Sequence, residues 1–167
     1  MTQNIVKSSM INGLIMGVIF SINFLISLPK NSLLGFLSMV IAGIIVLLMY
    51  RMAVKFRDTE CEGKITYSKT LSYIILTFFF GALIAGAVKF FYVQFVDKEY
   101  IDRLLQDSHM IIDSFKIPMD EEKYQQLEKM MSPVGFAVQT IWVNLIYGTI
   151  TGLIMAFFVK KSKSIFE

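Results

Sequence analysis

No aspartate, glutamate or histidine falls inside any of the four long apolar stretches of this 167-residue chain, which cover residues 10–28, 33–51, 70–95 and 133–159. That absence excludes several chemistries. A small proton-coupled antiporter needs a carboxylate within the membrane, and none is there to use. An intramembrane hydrolase needs a Ser, His and Asp constellation inside its spans, and two of those three residue types are missing. The chain also lacks a Walker loop and a dinucleotide fingerprint; its glycines recur at helix-packing spacing instead. With one cysteine, Cys61, no internal disulfide can form. A lone thiol in a cytoplasmic loop stays reduced, and nothing near Cys61 marks it as reactive.

What is present is mostly apolar. Hydrophobic residues make up 55% of the chain and charged residues 17%, the reverse of the balance a soluble domain shows. A helix of about 20 apolar residues crosses the hydrocarbon layer, and the four stretches are of that order. None carries the polar residues at every third or fourth position that a half-exposed soluble helix would show. The expected fold is all-α. It is an integral membrane four-helix bundle, one membrane domain over residues 1–167, with a short extramembrane helical hairpin at residues 97–132 between spans three and four. The first apolar run exceeds the signal-peptide h-region of about 7–15 residues, and Leu28-Pro29-Lys30 follows it in place of a cleavage site, so it reads as a retained helix.

Charge sets the expected orientation. Lys7, then Arg51, Lys55, Arg57, Lys64 and Lys69, then Lys160, Lys161 and Lys163 all fall at one end of the spans. Lys30 and the 97–132 segment fall at the other, and that segment carries five basic against nine acidic residues, a net of −4. Cations near span ends stay cytoplasmic. Both termini are therefore expected in the cytoplasm, with residues 97–132 outside. Within that segment Ile101, Leu104, Leu105, Ile111, Ile112 and Phe115 share one helical face, with Ile101, Leu105, Ile112 and Phe115 expected as its core. Asp120 can cap a second short helix.

Small residues four apart let helix backbones approach closely in lipid. Gly13 and Gly17 do so in the first span, Gly81 and Ala85 (with Ala82 and Gly86) in the third, and Gly148, Gly152 and Ala156 in the fourth. The fourth has the longest such stripe and is expected at the centre. The pattern fits packing within one chain or a seam between two copies. Among intramembrane polar residues, Asn144 is expected to bond a neighbouring helix, and Thr149 and Thr151 to return bonds to their own backbone. Lys89, 20 residues after Lys69, is expected to snorkel to the outer headgroups beside Trp142, both acting as interface anchors. His109 and Asp113, with Asp102, have a spacing that can hold a metal. Such a grouping is commonplace on a solvated acidic helix, and no metal site is expected.

Arg57-Asp58 followed by Gly63-x-Ile65-x-Tyr67-x-Lys69 resembles the loop pattern of a bacterial four-span membrane family, catalogued as a domain of unknown function (family number 4199). The post-span stretch Tyr92-Val93-Gln94-Phe95-Val96-Asp97-Lys98-Glu99 is also similar to that family's. The chain departs from the pattern at Glu62, at Thr66-Tyr67 and at Lys98. The resemblance implies the topology above and the inner membrane of a diderm bacterium. It brings no catalytic residue. The expectation is a non-enzymatic structural, accessory or docking component of the envelope. Its expected partners are the lipid bilayer, an envelope protein at residues 97–132 or a second copy of the chain, with no cofactor and no nucleic acid. The alternative is a small transporter or channel subunit with a path lined by Asn144, Thr149 and Thr151.

Overall fold

The computed structural model describes residues 2–29 and 31–161. Lys30 and Lys163, counted above toward orientation, lie outside the described residues. The described chain is all-α, with helices α1 (Thr2–Ser27), α2 (Ser32–Glu60), α3 (Tyr67–Phe91), α4 (Tyr100–Ser114), α5 (Glu121–Met130) and α6 (Pro133–Val159). A π-helical turn, Tyr92–Val96, prolongs α3. Four helical segments are long and apolar enough to cross a membrane: Ile5–Ser27, Ser32–Glu60, Tyr67–Val96 and Pro133–Val159. Their outward faces are apolar too. Leu14, Leu33, Met39, Leu47, Ile146 and Phe158 are all exposed. Apolar residues on the outside of every long helix would be costly in water and are favourable against lipid tails. The protein is a membrane protein.

Helices α2, α3, α5 and α6 start where the sequence supplies an oxygen for their free N–H groups. Asn31 accepts from Leu33 N, Thr66 from Lys69 N, Asp120 from Lys123 N and Ser132 from Gly135 N. That backbone bond, helped by the Lys123 ammonium, holds the Asp120 carboxyl below the usual carboxylate range. Helix α2 runs on past the Tyr50-Arg51 boundary to Glu60 because nothing in residues 52–60 breaks it. Its extension is also held by packing. Ala53 and Phe56 are buried, and Phe56 stacks on Tyr73 with centroids 4.2 Å apart and planes 4° from parallel. The helix ends at Cys61, and the chain reverses through Glu62 (φ 53°) and Gly63 (φ 74°).

The centre of the membrane part is α3, not the fourth span expected from its longer stripe. α3 packs along both α1 and α6, while α2 lies mainly against α1. The reason is visible in its small residues, which lie on two faces. A Cβ on Gly81 would stand 3.2 Å from Gly13 O and Gly17 N of α1, whereas one on Gly86 would stand 3.2 Å from Ala137 O of α6. The stripe of α6 has one partner: a Cβ on Gly148 would meet Phe78, and one on Gly152 would meet Leu71 and Ile74, all in α3. These small residues are thus occupied within one chain. α2 is different, because a Cβ on Gly35 or Gly43 would meet nothing within 4 Å.

The segment between α3 and α6 forms the two short helices α4 and α5. Ile101 is buried and Leu105 and Ile112 are half-buried, but Phe115 is 76% exposed. Phe115 is therefore not part of a core. It continues an exposed apolar face with Met110 and Ile111.

Candidate functional site: a lysine-bearing cavity

Lys89 lies near the C-terminal end of α3. A helical side chain leans toward the N-terminus of its own helix, so Lys89 leans back into the span and not out beyond it. Its Nζ lies 5.0 Å from the ring centroid of Phe24 and 5.2 Å from that of Phe136. The ammonium is thus held between two rings, one from the last turn of α1 and one from the first turn of α6. A cation over an aromatic face gains about 0.5–2 kcal/mol. A lysine costs about 2.5–3.5 kcal/mol at the centre of a span and less toward its ends, so the two rings offset much of the cost at this position without neutralising the charge.

Phe24 anchors a larger aromatic cluster. It meets Tyr92 and Tyr100 edge-on, with centroids 5.5 and 6.1 Å away, and Phe136 at 6.4 Å. Tyr100 is the first residue of α4, so this cluster fixes the insert to the spans. Asp97 pairs with Arg103, whose guanidinium lies 5.9 Å from the Tyr100 ring. Burial raises the Tyr100 hydroxyl above its ordinary pKa.

Beneath this cluster is a cavity of about 220 Å³, with walls from all four spans. Its polar lining is Lys89, Asn23, Asn144, Thr140, Ser27 and Tyr147, and among the described residues no carboxylate lines it. From α2 only Ala42 and Ile45 reach the wall, and no residue from 32 to 44 is buried. The part of α2 nearest the insert therefore packs loosely against the other spans. Asn144 Nδ2 donates to Thr140 O of its own helix at 2.8 Å, which corrects the expected bond to a neighbour. Asn23 Oδ1 is the one buried side-chain oxygen or nitrogen without a partner among the described residues. The floor is aromatic. Phe20 packs on Phe78 (5.7 Å) and Phe78 on Tyr147 (5.8 Å), with Met16, Met49 and Ile74 fully buried beyond.

Other expected residues have structural positions. Thr149 and Thr151 donate to Leu145 O and Tyr147 O of their own helix, at 2.8 and 2.7 Å. Trp142 is 60% exposed on the lipid side of α6. The His109 ring packs at a tilt on Tyr124 of α5, centroids 5.1 Å apart, and no group of three or more His, Cys, Asp or Glu side chains among the described residues could hold a metal. Ala85 is buried on the cavity wall, and Ala156 is fully buried.

At the far end of the spans the α2–α3 loop clasps the end of α6. Ile65 and Lys161 exchange two backbone bonds of 3.0 Å. Arg57 Nη1 donates to Val159 O at 3.2 Å while its Nε pairs with Asp58 at 2.7 Å. The Tyr67 hydroxyl donates to Leu153 O at 3.0 Å, and its ring packs on Phe157. Arg57 and Tyr67 so satisfy carbonyls in the last turns of α6, one of which has no partner inside the helix.

The family model described as "Protein of unknown function (DUF4199)" matches residues 9–161. The chain belongs to the DUF4199 family. Neither a curated protein nor a solved structure matches it. The stretch matched to DUF4199 takes in all four spans, the insert, the clasp and the Lys89 cavity. In this member of DUF4199, Arg57, Ile65 and Tyr67 close the end of α6 and stand away from the cavity.

Two residues of weight went unnoticed in the sequence. Tyr73 is fully buried; Asn12 Nδ2 donates to its hydroxyl at 2.7 Å and Ser9 Oγ to its carbonyl at 3.3 Å. A tyrosine one helical turn inside a span, with an amide in the neighbouring span, was the available signal. Gly135 is the other. A Cβ there would stand 2.5 Å from Met130 O, so glycine lets the end of α5 turn directly into α6.

Proposed function

We propose that this protein is a non-enzymatic docking component of the bacterial inner membrane. Its termini lie in the cytoplasm and residues 97–132 in the periplasm, where α4 receives another envelope protein. The orientation rests on the basic cluster Arg51, Lys55, Arg57, Lys64 and Lys69 at the clasp end, against the net charge of −4 in the insert.

The observation that carries the docking role is the exposed apolar face of α4. Met110, Ile111 and Phe115 are 60%, 56% and 76% exposed and line a shallow groove with Asp107 and Ser114. Contiguous apolar residues facing outward from a charged helix mark interaction surfaces. The acidic charge around them favours a partner protein over anionic headgroups. Transport has weaker support. The cavity ends on Phe20, Phe78 and Tyr147, and the hydroxyls of Thr149 and Thr151 are already bonded to their own helix.

A photoreactive amino acid at Phe115, irradiated in native membranes, tests the role. The expected product is a discrete adduct with one envelope protein, lost when Met110 and Ile111 are both changed to Ser. Adducts to lipid alone, or to a second copy of the chain alone, would overturn the docking reading.

A further inference from the structure

We infer that the Lys89 cavity is a binding site for the phosphodiester headgroup of an anionic phospholipid. The inference does not depend on a partner at α4. Three observations carry it. First, the cavity contains a positive charge with, among the described residues, no carboxylate on its walls: the Lys89 ammonium lies over the rings of Phe24 and Phe136. The rings hold the ammonium in place but leave its charge and its N–H donors free for an occupant. Second, the remaining polar lining is able to bond an occupant. Asn144 uses one amide hydrogen on Thr140 O and keeps another. The Asn23 amide has a buried oxygen without a partner, and a turn of the amide presents a donor in its place. Ammonium and amide donors converging without a counter-charge are the chemistry that recognises a phosphate.

Third, the location selects a lipid source. The cavity lies in the half of the spans nearest the insert, between Phe24 and Phe136 above and Phe20 and Tyr147 below. The outer half of α2 covers it thinly: only Ala42 and Ile45 reach the wall, and Leu33, Phe36 and Met39 are exposed. A headgroup at this depth keeps its tails among lipid, whereas a soluble phosphate would first have to leave water. The same charge discriminates between headgroups. A zwitterionic lipid brings its own cation toward Lys89; phosphatidylglycerol does not.

The test uses the full chain in nanodiscs and native mass spectrometry after partial delipidation. Wild type is expected to retain phosphatidylglycerol at least tenfold over phosphatidylcholine of the same tails. Lys89→Arg is expected to keep that preference and Lys89→Met to lose it. A preference unchanged in Lys89→Met would overturn the site, as would displacement of the lipid by soluble glycerol 3-phosphate, which would identify a free phosphate as the occupant. A second measurement needs no variant. Solid-state NMR of the wild-type chain, with ¹⁵N-labelled lysine, is expected to give dipolar contact between one lysine Nζ and the lipid phosphorus, lost when phosphatidylcholine replaces phosphatidylglycerol. No such contact in phosphatidylglycerol would refute the inference.

Discussion

Adding one methyl group to Gly148 should damage this protein, while adding the same methyl to Gly43 should not. A Cβ at Gly148 would lie 2.5 Å from both Cβ and Cγ of Phe78. Carbon atoms in contact prefer about 3.5–4.0 Å, so α6 and α3 must part locally by about 1 Å. Phe78 cannot yield easily. It is fully buried, the nearest clash is at its own Cβ, and its ring is wedged between Phe20 and Tyr147. Overpacking of this kind costs about 1–3 kcal/mol. Replacing a helical glycine by alanine returns up to about 1 kcal/mol in helix propensity, and that gain is common to both sites. The difference between Gly148→Ala and Gly43→Ala therefore isolates the clash, at about 1–3 kcal/mol. Reversible unfolding in mixed micelles of detergent and denaturing surfactant measures it. Equal midpoints for the two variants would refute the close packing of α6 on α3.

The clasp and the buried tyrosine give two further expectations. Arg57→Gln removes the bond to Val159 O and the pairing with Asp58; it should cost about 0.5–1.5 kcal/mol and speed hydrogen exchange at the Ile65 and Lys161 amides, and unchanged exchange there would show that the clasp does not depend on Arg57. Asn12→Leu leaves the Tyr73 hydroxyl without its donor and should cost about 1–3 kcal/mol. The double variant with Tyr73→Phe should recover part of that loss in the same unfolding assay, and strict additivity would show that the two side chains are not coupled.

How much of this was legible in the sequence varies with the physics involved. The spans were readable because lipid imposes a strong, local constraint: long runs without charge, bounded by Pro29, Arg51 and Ser132-Pro133. The helix start at Asp120 was readable for a similar reason, since a cap acts within three residues. The length of α2 was not, because the residues that hold its last turns, Ala53 and Phe56, are fixed by Tyr73 in a different helix. The centre of the assembly was misassigned by counting small residues along one stripe. What decides centrality is the number of faces that carry them, and α3 has two, marked by Gly81 and Gly86. The rings that flank Lys89 were not legible, because Phe24 and Phe136 belong to two other helices. The cavity itself has no local signature. Asn23, Lys89 and Asn144 come from three helices and meet only in the folded chain.

Impermeant maleimide labelling of spheroplasts tests the central claim, that four helices cross the membrane and put the α2–α3 loop and the α4–α5 insert on opposite sides. Cys61 is the only cysteine and lies at the end of α2. It should remain unlabelled until the membrane is permeabilised, while a cysteine placed at the exposed Ser114 of α4, in a Cys61→Ser background, should label at once. Labelling of Cys61 in intact spheroplasts, or protection of the cysteine at position 114, would contradict the account.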